Sequence, residues 1–190
     1  RARVGATGGL IAFTGAVTLD PEPEYRIERG SLEGVDMAAL LGDTSASAFN
    51  GTFSLTGRGT SRAAARVDAR IVASESSYGA HRLTDGRMDL SIRGEEVRVV
   101  ARTNVDGGSV DLEAAGHPFA LRPSVTVRRL RFRHLDLARL IPSAGIASDL
   151  SGSGTLQAHG RRLSDVSLSG RIVLEDSRMG TQELNKGVIK

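Results

Sequence analysis

The chain has 190 residues, a formal net charge of +3 and no cysteine. The lack of cysteine excludes a disulfide framework and a thiolate metal site. It is equally compatible with a periplasmic or a cytosolic location. The positive charge comes from arginine, since Lys186 and Lys190 are the only lysines. Because the excess is far smaller than the basic footprint of nucleic-acid-binding domains, we expect no nucleic-acid partner.

Apolar and polar residues alternate with a period of two along most of the chain, which is typical of half-buried strands. Successive side chains of a strand face opposite sides, so each strand has one aliphatic and one polar face. Short turns containing glycine and aspartate would join these strands into a long antiparallel meander. The predicted strands lie near 9–19, 25–33, 49–56, 65–74, 87–93, 96–103, 110–115, 124–133, 150–159 and 165–175.

The aliphatic face is the first candidate site. Aromatic residues are scarce, so the face consists mostly of Leu, Ile, Val and Ala. It needs a cover, which is either another part of the fold or a bound lipid. The residues assigned to this core or groove face are Phe13, Phe49, Phe53, Leu55, Met88, Leu90, Ile92, Val110, Leu112, Leu130, Phe132 and Leu156.

Two segments interrupt the alternation, at 36–41 and 136–141. Each begins with an aspartate that can accept hydrogen bonds from free amides at a helix start. Apolar residues then follow at the spacing of one helical turn, and Gly42 and Pro142 mark the exits. Each segment is predicted to be a short turn, either a plug over the end of the sheet or a flap along a groove.

The sequence is repeated. Residues 27–41 match residues 127–141 at a shift of 100 positions (127 minus 27), with shifts of 99 upstream (102 minus 3) and 101 downstream (150 minus 49). We expect a first repeat at 1–99 and a second at 100–190, forming one continuous sheet. Both ends would lie inside strands, which indicates part of a longer polypeptide with flanking repeats. Stacked repeats build continuous surfaces rather than one enclosed active site.

Residues that could support catalysis or metal binding are dispersed. The histidines His81, His117, His134 and His159 have neither helical pairing nor metal-ligand spacing, and His117 before Pro118 is expected in a turn. Neither a nucleophile elbow nor a phosphate-binding loop occurs in the sequence. We expect no catalytic residue, no metal and no cofactor.

An arginine stripe is the second candidate site. Arg129, Arg131 and Arg133 fall on one strand face, opposite Leu130 and Phe132. The stripe is either a solvated outer face or a contact for an anionic partner, such as lipid headgroups or an acidic protein surface.

The succession of short motifs resembles the AsmA-like proteins, the group that includes TamB. The pieces are Asp106-Gly107-Gly108, a Leu135–Leu140 turn, Leu150-Ser151-Gly152-Ser153-Gly154-Thr155-Leu156 and Ser177-Arg178-Met179-Gly180 followed by Leu184. Similar pieces occur in the first repeat, so the resemblance covers nearly the whole chain.

The resemblance implies an elongated, curved sheet shaped like a groove or taco, apolar inside, with one short helical turn per repeat. It also implies a periplasmic, membrane-associated parent, involved in phospholipid transport or outer-membrane assembly. The alternative is a scaffold subunit of the same fold, packed on a larger membrane protein complex. A secreted carbohydrate-binding repeat is a third interpretation, and the scarcity of exposed aromatic platforms disfavours it.

Overall fold

The computed structural model describes residues 2–6, 8–19, 21–36, 46–140, 145–160 and 167–189. Within these ranges the protein is all-β, with thirteen strands in an antiparallel meander and one short helix. This confirms the predicted fold class. The chain divides into two compact units, Arg1–Gly94 and Glu95–Lys190.

The first unit contains seven of these strands. Their order in space is β1-β2-β3-β4-β5-β7, and the short β6 pairs with both β4 and β7. The strands are β1 (Ala2–Ala6), β2 (Gly9–Thr18), β3 (Glu24–Val35), β4 (Ser47–Arg58), β5 (Arg66–Ala73), β6 (Ser76–Tyr78) and β7 (His81–Arg93).

The second unit contains six strands in sequential order and the helix. His117 is the last residue of β9, opposite Ser124, so its prediction as a turn residue was wrong. The alternating pattern continues one residue further than the following Pro118 suggested. The elements are β8 (Glu96–Val105), β9 (Gly108–His117), β10 (Ser124–Leu135), α1 (Leu137–Leu140), β11 (Ser148–His159), β12 (Ser167–Met179) and β13 (Gln182–Ile189).

The two units share their strand irregularities, which supports the repeat. The β3–β4 ladder shifts register between Ile27 and Gly30, and the β10–β11 ladder shifts between Val127 and Leu130. Both ladders shift again before their last pair, at Val35 and at Leu135. A bulge re-aims a strand by one residue, so its recurrence at equivalent positions shows the same local fold in each unit.

A buried serine supports a further irregularity in each unit. Ser76 and Ser177 are each 3% exposed. Ser76 Oγ accepts a hydrogen bond from Asn50 N at 3.0 Å, and Ser177 Oγ accepts one from Ser151 N at 3.0 Å. These amides lie where β4 and β11 lose regular pairing, so each serine satisfies a backbone group that the ladder leaves open.

The predicted turn at 136–141 is present as α1, with the predicted cap. Asp136 Oδ1 accepts hydrogen bonds from Ala138 N at 3.0 Å and from Ser148 N at 2.9 Å. The cap therefore also fixes the start of β11. The turn predicted at 36–41 lies outside the described residues after Asp36, and so do Gly42 and Pro142.

In the part of the chain that the structure describes, the packed core lies in the second unit. Phe132, Leu150 and Leu174 form a buried cluster against which Val110, Leu130, Leu135, Leu137, Ile172 and Leu184 pack. In the described part of the first unit, Val35 is the only buried residue with a large apolar side chain. Most apolar side chains described in the first unit are half-buried, and Val17, Leu19 and Val72 are exposed.

Candidate functional site: an apolar face in each unit

Cross-strand register brings the apolar residues of the first unit into rows on one face. Residues directly opposite each other in neighbouring strands point to the same side. These rows contain no charged side chain. They are Phe13–Gly30–Phe53–Ile71–Met88, Gly15–Ile27–Leu55–Ala69–Leu90 and Val17–Tyr25–Gly57–Val67–Ile92.

Glycines in these rows make room for aromatic rings. A Cβ added at Gly30 would overlap the ring of Phe53, and one added at Gly57 would overlap the ring of Tyr25. Each ring therefore lies across the backbone of the neighbouring strand. The result is a low apolar surface instead of side chains that stand upright from the sheet.

The second unit repeats this arrangement. Gly152 lies opposite Phe132, and a Cβ there would be 3.0 Å from the ring and closer still to the Val173 carbonyl. No charged side chain occurs in these rows either. They are Val110–Phe132–Gly152–Leu174–Gly187, Leu112–Leu130–Gly154–Ile172–Ile189 and Ala114–Val127–Leu156–Gly170.

The structure places the residues assigned from sequence to the apolar face in these rows, with Phe49 beside them opposite Val35. Phe132 is buried, and the others are half-buried. Tyr25, Ile27 and Ile71 belong to the same rows but were not singled out from the sequence. Tyr25 and Ile27 could have been found from the alternation, since each lies between two charged residues, whereas Ile71 follows Arg70 but precedes the apolar Val72.

The opposite face of the first unit is polar and cross-linked by ion pairs. Arg70 Nε lies 2.7 Å from Asp89 Oδ1, and the hydrogen bond raises the pKa of this guanidinium, with a further contribution from the Asp89 charge. Arg93 donates to both carboxylate oxygens of Asp68, at 2.7 and 2.9 Å. Exposed ion pairs of this kind contribute little to stability, but their charged groups require this face to remain hydrated.

The arginine stripe lies on the polar face of the second unit. Arg129 is opposite Glu113, and the shortest distance between their charged atoms is 2.7 Å. Arg98 donates to the other oxygen of Glu113, also at 2.7 Å. Hydrogen bonds from Arg129 and then Arg98 lower the pKa of Glu113 below its usual range.

The remaining two arginines of the stripe are less constrained. Arg131 lies opposite Asp111, and Arg133 lies opposite Ser109. Asp111 pairs with Arg102 at 2.8 Å, and the structure gives Arg131 and Arg133 no ion pair within the described ranges. All three arginines of the stripe are exposed, and of the three only Arg129 forms an ion pair with a described residue.

Chemistry-bearing groups remain scattered in the described part of the chain. His134 Nδ1 of β10 lies 3.0 Å from Asp149 Oδ1 of β11. The sequence spacing did not predict this contact, because it depends on the pairing of the two strands. Among the residues that can be described, no group of three or more His, Cys, Asp or Glu could hold a metal ion. Nor do those residues include a helix long and apolar enough to cross a membrane.

No family model, curated protein or solved structure matches this chain.

Proposed function

We propose that this chain is a non-catalytic β-repeat segment of a periplasmic, membrane-associated envelope protein that holds acyl chains of phospholipid against its apolar face. The resemblance to AsmA-like proteins suggested this role, and the apolar face supports it. Its cargo would be transported lipid or lipid handled during outer-membrane assembly.

The supporting observation is an uncharged apolar face that the protein leaves partly open. Leu55, Leu90 and Ile92 lie in adjoining rows of the first unit, and each is half-buried. A sheet with an aliphatic face is stable when another layer covers that face. Acyl chains are such a layer, and each buried methylene contributes about 0.8 kcal/mol.

The low relief of the face also suits a flexible hydrocarbon. Because Phe53 lies over Gly30 and Tyr25 lies over Gly57, neither ring blocks the neighbouring row. The hydrogen-bonding groups of the strands are consumed in the ladders, so the face offers little that would bind a polar ligand. Recognition would rest on apolar contact area.

The test compares a charge on the apolar face with the same charge on the polar face. Leu90→Asp places a carboxylate beside Ala69, at the β7 end of an apolar row. Val72→Asp is the matched control, because Val72 is 42% exposed and lies opposite Thr52 and Arg87. Binding is measured with fluorescent NBD-phosphatidylethanolamine, and bound lipid is counted by native mass spectrometry.

The expected result is saturable binding by the wild type and by Val72→Asp, and loss of binding by Leu90→Asp at unchanged circular dichroism. Equal binding by all three proteins, or none by the wild type, would refute the acyl-chain proposal.

The second candidate function is a scaffold subunit in a membrane protein complex. It is favoured by Arg131 and Arg133, exposed cations on the polar face of the second unit with no ion pair to a described residue. A partner with an acidic surface would meet them there. Isolation from native membranes in a stable multi-subunit complex without lipid would favour this function over lipid binding.

A further inference from the structure

Three arginines lie side by side at one end of the polar face of the first unit. Arg58 ends β4, Arg66 begins β5 and Arg93 ends β7. Arg66 is directly opposite Arg58 on one side and Arg93 on the other. Like charges at directly opposite positions destabilise a sheet, so this row is unfavourable for the isolated fold.

Only one arginine of the row is neutralised. Arg93 forms the two-pronged contact with Asp68, and its other terminal nitrogen donates to the Val67 carbonyl at 3.0 Å. Arg58 and Arg66 are exposed, and neither forms an ion pair with a described residue. Glu24 is opposite Arg58 in the register but is not within ion-pair distance of it.

The arginine row borders an open cleft of about 520 Å³. The charged residues that line the cleft are Arg26, Arg58, Arg66 and Arg93 on the positive side and Glu24 and Asp68 on the negative side. Arg26 lies 3.5 Å from Glu28, and Asp68 is engaged by Arg93. With those two pairs set aside, the charges left in the cleft are those of Arg58 and Arg66 and the single carboxylate of Glu24, so the remaining charge is positive.

The second unit shows that the fold does not need these charges. The positions equivalent to Glu24, Arg58 and Arg66 are Ser124, His159 and Ser167, and they form the same cross-strand pairs. A repeated backbone with an arginine row in one copy only indicates chemistry specific to that copy.

The backbone holds the strand ends in place without help from the arginines. Gly59 N, next to Arg58, donates to the Pro23 carbonyl at 3.0 Å. Gly94 N, next to Arg93, donates to the Ala65 carbonyl at 2.8 Å, beside Arg66. The arginine row is thus presented on fixed strand termini, which lowers the ordering cost of binding.

We propose that this cleft binds a phosphate group through Arg58 and Arg66. Neighbouring strands are about 4.8 Å apart, so two guanidinium forks can meet different oxygens of one tetrahedral anion. A carboxylate offers two such arginines only one oxygen each, as Glu113 does to Arg98 and Arg129, whereas a phosphate has enough oxygens to engage both forks. Arg58 and Arg66 are on the polar face, and the cleft includes Tyr25 and Gly57 of one apolar row but neither Leu55 nor Leu90, so Leu90→Asp tests acyl-chain binding separately.

The test is a titration of the protein with inorganic phosphate, followed by amide NMR shifts of Gly57, Gly59 and Val67. The variant is Arg58→Gln with Arg66→Gln, and the control is Arg122→Gln with Arg171→Gln, which removes the same charge from exposed positions in the second unit. We expect saturable shifts in the wild type and the control. The double variant at the cleft should bind about tenfold more weakly or worse, as expected when charge-assisted hydrogen bonds are lost.

Lysine substitutions separate charge from geometry. Arg58→Lys with Arg66→Lys keeps both charges but loses the planar forks, so its affinity should fall between those of the wild type and the glutamine variant. Absence of saturable shifts in the wild type, or equal weakening by the two glutamine pairs, would overturn the proposal.

A further arm identifies the source of the phosphate. Glycerol 3-phosphate represents a soluble phosphomonoester, and vesicles of phosphatidylcholine with phosphatidylglycerol represent a headgroup surface. If the protein sediments with the anionic vesicles in an Arg58- and Arg66-dependent manner, the ligand is a headgroup. If only glycerol 3-phosphate competes with inorganic phosphate, the ligand is a soluble phosphorylated molecule.

Discussion

The two units have one backbone plan and two distributions of side-chain chemistry. Their bulges and buried serines coincide at equivalent positions, whereas among the described residues a packed buried cluster, formed by Phe132, Leu150 and Leu174, occurs only in the second unit. The exposed arginine row exists only in the first. Irregular backbone positions must be satisfied in every copy, because an unpaired buried amide is costly. Face residues are freer to change, so the differences between copies mark where function has diverged.

The largest expected effect is a difference in stability between truncating a buried side chain of the second unit and truncating its half-buried counterpart in the first. Phe132→Ala should lower the free energy of unfolding by about 3 kcal/mol or more, because it empties a buried position. Leu32, at the equivalent position of the first unit, is half-buried, and Leu32→Ala should cost only about 1 kcal/mol. Urea denaturation monitored by circular dichroism gives both values. Equal losses would mean that the first unit is as well packed as the second.

The next effect should be the same in both units. Ser76→Ala and Ser177→Ala each leave a part-buried amide, of Asn50 or Ser151, without its acceptor, at an expected cost of about 1–3 kcal/mol. The control is Ser169→Ala at an exposed position, which should be nearly neutral. A cost confined to one unit would show that the shared irregularities are not equally important.

The strand pattern of the fold, apart from the short β6, could be predicted because alternation and turn residues are local signals. The aliphatic rows followed from that alternation, and Asp136 was predicted as a cap from its position before an apolar turn. The bulges could not be predicted, since Gly30 and Leu130 give no local sign that the register shifts before them.

Of the two candidate binding regions, the aliphatic face could be predicted from the sequence and the arginine row could not. The aliphatic face follows from period-two patterning, whereas the arginine row depends on which strand ends become neighbours. Arg58, Arg66 and Arg93 are far apart in sequence and adjacent only through pairing. The flat position of Phe53 over Gly30 likewise depends on cross-strand register.

A smaller effect concerns one backbone position that differs between the copies. Gly34 has φ of 61° and His134 has φ of 53°, so histidine occupies a left-handed conformation where the first unit has glycine. Gly34→Ala should cost about 1 kcal/mol from backbone strain alone, because no atom lies within 4 Å of the added Cβ.

The reciprocal change, His134→Gly, should stabilise slightly, by less than Gly34→Ala costs. The relief of strain is partly offset by the lost contact with Asp149 and by a more flexible unfolded chain. Thermal unfolding at matched pH measures both changes. If His134→Gly instead destabilises by more than Gly34→Ala, the contact with Asp149 outweighs the strain.

The smallest effect is a pH dependence that belongs to the second unit. Hydrogen bonds from Arg129 and Arg98 lower the folded-state pKa of Glu113, so the carboxylate stabilises the fold fully above the ordinary glutamate pKa. That contribution is lost as the pH falls through the lowered value, because the protonated acid no longer pairs with arginine. Glu113→Gln should therefore be less stable than the wild type at neutral pH, and the difference should vanish in acid.

At the equivalent place in the first unit Thr14 faces Arg29, so Thr14→Glu should create a weaker version of the same dependence. Urea midpoints measured between neutral and acidic pH test both variants, and high salt should reduce both differences because the arginines of these pairs are exposed to solvent. A Glu113→Gln difference that persists at acidic pH would indicate lost packing and not lost charge.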